Sequence, residues 1–60
     1  MSNTNDPTVQ SFGTNTYAGS TNAGQYAAQN NVPLAPQQYN ESADAYGNRS
    51  SAYHSEKNKN

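Results

Sequence analysis

The stretch QQYNESADAYGNRSSAYHSEK, residues 37–57, decides how this chain is read. Tyr39, Tyr46 and Tyr53 fall in it seven residues apart, with Ala43 four residues after the first of them. Seven residues make two helical turns, so on a helix these rings would form one narrow stripe. Pro36 suits a first helical position, where its missing N–H is no loss, and Lys57 and Lys59 stand where cations complement a helix C-terminus. Gly47, Asn48, Ser50 and Ser51 are poor helix formers, and no Ser/Thr-x-x-Asp/Glu capping box occurs anywhere in the chain. Ala43, Ser50 and Lys57 take the alternate seam positions, which leaves the stripe too thin for a free-standing coiled coil. The spacing predicts a short α-helix at about 37–57 that forms against a partner. Tyrosines scattered by composition, or rings stacking in self-association, are the competing readings.

Working outward, the composition argues against a core. Of 60 residues 30% are apolar, well below the near-half of ordinary domains. Eight of those eighteen are alanine and five are tyrosine; besides Met1, only Val9, Phe12, Val32 and Leu34 are aliphatic or Phe. A chain this small usually needs disulfides, a metal or a dense core, and it has no cysteine. The expectation is a mostly intrinsically disordered chain. With 12% charged residues and 27 Asn, Gln, Ser or Thr, the disorder expected is polar and uncharged, of the prion-like kind.

The organisation follows from the same reading. Residues 1–10 are expected to be a disordered tail and 11–31 a low-complexity Asn/Thr/Ala/Gly segment, with a weaker helical turn at about 22–30 opened by Asn22 and opposed by Gly24. Residues 32–36 (VPLAP) form a stiff, proline-containing hinge, or else a docking motif presenting Val32 and Leu34. The candidate helix at 37–57 follows, and 58–60 is a tail.

No residue pattern supports catalysis. His54 with Glu56 offers at most two metal ligands where sites need three or four. The acids Asp6, Glu41, Asp44 and Glu56 have no cleft to perturb them, and one histidine with no fold to aim it makes no triad. Glycines 13, 19 and 24 match neither a phosphate loop nor a dinucleotide fingerprint. No enzyme, cofactor or metal is expected. A formal net charge of −1, with Arg49, Lys57 and Lys59 the only cations, gives no case for nucleic acid or an anionic membrane. No apolar run exceeds three residues and no signal peptide is visible, so an intracellular location is expected.

Phe12-Gly13-Thr14, Tyr17-Ala18, Thr21-Asn22-Ala23, Gln25 and Gln29-Asn30 together resemble the repeat of the gamma-type small acid-soluble spore proteins. The resemblance covers residues 12–30 and implies an unstructured amino-acid store, degraded at germination, that does not coat DNA.

The expected function is a non-catalytic small protein, disordered alone, that orders on an unknown protein partner as an accessory or regulatory peptide. Its contact residues would be Val32, Leu34, Tyr39, Ala43, Tyr46 and Tyr53. A spore or stress-protective store, and a prion-like segment with weak self-association, are the alternatives.

Overall fold

Each helix starts on a side chain that accepts hydrogen bonds from its own first-turn amides. Asp6 caps α1 (Pro7–Gln10), its Oδ1 accepting from the N–H of Thr8 and Val9 at 3.1 and 3.4 Å, with Pro7 in the first helical position. Thr16 caps α2 (Tyr17–Gln29), its Oγ1 accepting from Gly19 N–H at 3.0 Å. Ser42 caps α3 (Ala43–Lys57), its Oγ accepting from Ala45 N–H at 3.1 Å; Asp44 lies in the first turn and Lys57 in the last, as the helix dipole favours. These ranges come from a computed structural model that describes residues 4–59. Residues 1–3 of the expected tail, and residue 60, lie outside the described residues.

α2 stops by reversing direction. Asn31 takes a left-handed conformation (φ 58°), which asparagine tolerates better than most residues. The N–H of Val32 then bonds back to Ala27 O at 2.8 Å and that of Asn31 to Ala28 O at 3.4 Å, a Schellman closure. The chain leaves as an irregular segment over 32–37, makes a turn, and enters α3.

The expectation of a mostly intrinsically disordered chain is overturned. The three helices are well ordered, α2 and α3 pack against each other, and the Cα radius of gyration is 10.2 Å. A folded chain of this length needs about 10 Å and an unfolded one about 23 Å. The helix expected at 37–57 starts at Ala43, on Ser42 rather than at Pro36, and the weak turn expected at 22–30 is part of a helix that starts at Tyr17.

The expectation of disorder rests on the scarcity of large apolar side chains, and the fold does not use such side chains in its centre. Among the described residues the buried hydrophobic ones are Ala23, Ala28 and Ala45. Gly19, Ser20, Ala23, Gly24 and Ala28 are the buried positions of α2, so its inner face is small residues throughout. That lets backbone approach backbone. A Cβ built on Gly24 would fall inside the van der Waals shell of the Arg49 carbonyl oxygen and 3.2 Å from Tyr53 N. Close packing of main chain on main chain gains many dispersion contacts without any large side chain.

The N-terminal segment is tied on by main chain and side chain together. Thr4 N–H donates to Gln37 O at 3.0 Å and Tyr39 N–H to Thr4 O at 2.9 Å, forming a single parallel bridge. Gly13, at φ 86°, turns the chain from α1 toward α2.

Candidate functional site

Arg49 is the organising side chain, and it lies on α3 with 2% of its surface exposed. Its Nε donates to Glu41 Oε2 at 2.8 Å and its Nη2 to Glu41 Oε1 at 2.9 Å, a two-pronged pair. Nη2 also donates to the Pro36 carbonyl at 2.7 Å. The guanidinium carbon sits 4.9 Å from the centre of the Tyr46 ring, one turn earlier on the same helix. Glu41 in turn accepts from Ser20 Oγ on α2 at 2.7 Å and from Gln38 N–H at 3.1 Å.

Gln38, fully buried, extends this network to the N-terminus. Its Oε1 accepts from Asp6 N–H at 2.6 Å and Gln10 Nε2 at 3.0 Å, while its Nε2 donates to Thr4 Oγ1 at 2.9 Å and Pro36 O at 2.7 Å. Thr14 adds a bond from Oγ1 to Asn40 Oδ1 at 2.9 Å. Among the described residues no fully buried side-chain nitrogen or oxygen lacks a partner. A buried polar network is favourable when its members are satisfied in this way.

Burial pushes the Glu41 carboxyl up, but hydrogen bonds from Arg49, Ser20 and the Gln38 amide, with the Arg49 charge, hold it below its ordinary value. Glu56 is also held low, first by a hydrogen bond from Gln29 and then by Lys59. A carboxyl with a lowered folded-state pKa contributes stability that is present above its unfolded pKa and lost as pH falls through the folded one. The helical signal should therefore hold at pH 6 and fall as pH drops below about 4, the carboxylate range. Far-UV circular dichroism during acid titration measures this; a signal unchanged down to pH 2 contradicts it.

Residues of α1, α2 and the irregular segment line an open groove of about 240 Å³. Its walls are Val9, Phe12, Ala23, Tyr26, Val32 and Pro33, with Asp6 and Arg49 also on the lining. Phe12 and Tyr26 face each other with ring centres 5.1 Å apart. Tyr26 and Val32 are each 43% exposed, unusually open for side chains of this kind.

Of the contact residues expected from sequence, only Val32 lines the groove. Leu34 is half-buried beside it in sequence. Tyr39 stands 66% exposed on the turn before α3, outside the helix, and Ala43 is exposed at the start of α3. Tyr46 and Tyr53 are half-buried on α3, Tyr46 beneath Arg49 and Tyr53 edge-on to His54 with Lys57 Nζ 5.8 Å from its centre. The three tyrosines thus do not line up as one stripe. Val9 and Phe12 lie at least fourteen residues before Tyr26, and no local period joins the three; Asp6-Pro7, a cap followed by a first-turn proline, is the local sign that a helix starts before Val9.

No group of three or more His, Cys, Asp or Glu able to hold a metal occurs among the described residues. No helix of the described residues is long and apolar enough to cross a membrane. Comparison with family models, curated proteins and solved structures finds no match to this chain.

Proposed function

We propose that this chain is a small non-catalytic binding module whose preformed groove receives an apolar side chain of a protein partner. One observation carries the reading. Among the described residues the buried hydrophobic ones are alanines, whereas Val9, Phe12 and Val32, three of the few larger apolar side chains, border an open groove together with Tyr26. A chain short of apolar groups that leaves them around a concavity resembles a recognition site more than a core. The volume of about 240 Å³ suits one large side chain, since an engineered cavity of about 150 Å³ takes up benzene. The partner's segment brings the missing apolar surface, and the module, being already folded, loses little entropy on binding.

Tyr26→Ser and Val32→Ser change groove walls that are partly exposed, so the fold should persist while binding falls by about tenfold or more each, the usual effect of truncating a central contact. Partners captured by wild type and lost with both variants are then titrated as purified proteins against all three. Equal binding by the three proteins removes the groove from the interaction. A storage role instead predicts indifference to both substitutions.

A further inference from the structure

Resting on the groove reading, we propose that residues 4–12 form a strap that opens independently of the α2–α3 pair, and that an occupant of the groove locks it shut. The strap builds one side of the groove: Asp6, Thr8, Val9 and Phe12 are on the lining. Little holds it in shape from within. α1, at its middle, is a single turn with no buried residue, and a helix that short does not stand by itself in water. Its two ends carry the attachment. At one end Phe12 meets Tyr26, and Gly13 is pressed on α2, for a Cβ built on Gly19 would fall inside the van der Waals shell of the Gly13 carbonyl oxygen. At the other, every hydrogen bond among the described residues that joins residues 4–12 to the chain beyond Gly13 ends on Gln37, Gln38 or Tyr39.

The Gln38 side chain is the latch. Its one amide accepts from Asp6 N–H and Gln10 Nε2 and donates to Thr4 Oγ1, so three strap residues depend on it. Releasing them leaves the rest of the fold its bonds. The Pro36 carbonyl still accepts from Arg49 Nη2, and Glu41 keeps Arg49, Ser20 and the Gln38 main-chain amide. The approach of Gly24 to Arg49 and Tyr53 involves no strap residue either. Opening therefore removes a groove wall while α2 stays packed on α3, a local unfolding of the low-stability part of the chain. An occupant that binds the closed form alone shifts the strap toward closure. By linkage, whatever draws the strap open weakens the occupant by the same factor.

Amide hydrogen exchange, with benzene as the probe of the groove, tests this. Tyr39 N–H bonds to Thr4 O and so reports closure of the strap. In the free protein it is expected to be protected at least about tenfold less than Ala23 and Ala28 on the inner face of α2. Benzene is expected to slow its exchange. Gln38→Ala cuts the latch, and Thr4→Pro removes an N–H and a hydroxyl from an exposed position. Both are expected to speed Tyr39 exchange about tenfold or more, to weaken benzene binding and to keep the helical circular dichroism. Equal protection of Tyr39 and the α2 amides, or benzene slowing the α2 amides alone, overturns the strap and leaves the groove standing. Loss of the helical signal in both variants also overturns it, because strap and helices then open as one. If benzene shifts no amide of Val9, Phe12, Tyr26 or Val32, the groove reading itself falls.

Discussion

Arg49→Ala is expected to leave the chain unfolded, or nearly so, at neutral pH and room temperature. The substitution leaves the Glu41 carboxylate, whose side chain is 0% exposed, without its cation and the Pro36 carbonyl with Gln38 as its one partner among the described residues. Breaking a buried ion pair from one side typically costs about 3–5 kcal/mol. A 60-residue domain has on the order of 3–9 kcal/mol in total. The two figures overlap, so loss of the pair removes most of the margin. Glu41→Gln, which keeps an acceptor but loses the charge, should fall between the variant and wild type. Urea unfolding followed by circular dichroism gives all three values. A midpoint for Arg49→Ala close to wild type would mean that Arg49 is not what closes the network.

Gly24→Ala should destabilise the chain by about 1–3 kcal/mol, the range for a group forced into a packed contact, even though alanine is the better helix former. The added methyl meets the Arg49 carbonyl, with Arg49 C at 3.1 Å and Tyr53 N at 3.2 Å, and main-chain atoms cannot swing aside as a flexible side chain would. The helices must separate, which disturbs the Arg49 network on the far side of the same contact. Gly47 supplies the control. It stands in α3 with nothing within 4 Å of an added Cβ, so Gly47→Ala should stabilise by about 0.5–1 kcal/mol. The two substitutions differ only in what the methyl touches. If both shift the thermal midpoint in the same direction, the close approach of α2 to α3 is wrong.

These expectations mark what the residues did and did not disclose. α3 was half legible: its end and much of its length follow from Tyr46, Tyr53 and Lys57, but its start was placed at Pro36 because proline at a first turn is a strong local sign. Ser42 was the true cap, and nothing local separates it from the other serines. α2 is obscured by Gly24, which by propensity opposes a helix although here it lets the helix touch its neighbour. The order of the whole was missed for a related reason. Ala, Gly and Ser carry little apolar area of their own, so counting side chains cannot register packing made between main chains. The Glu41–Arg49 pair is eight residues apart across a turn and a helix start, a spacing that no helical or strand period brings together. Of the groove, only Val32 was foreseen, because Val9 and Phe12 meet Tyr26 through the turn at Gly13, which has no period to read.

The alanine-lined centre also governs how the protein responds to heat. Unfolding exposes little hydrocarbon and much amide and hydroxyl, and these two kinds of surface change the heat capacity in opposite directions. The increment per residue is therefore small, the enthalpy of unfolding varies little between cold and warm, and the curve of stability against temperature is shallow. Such a molecule melts over a wide span of degrees, and cooling does little to loosen it.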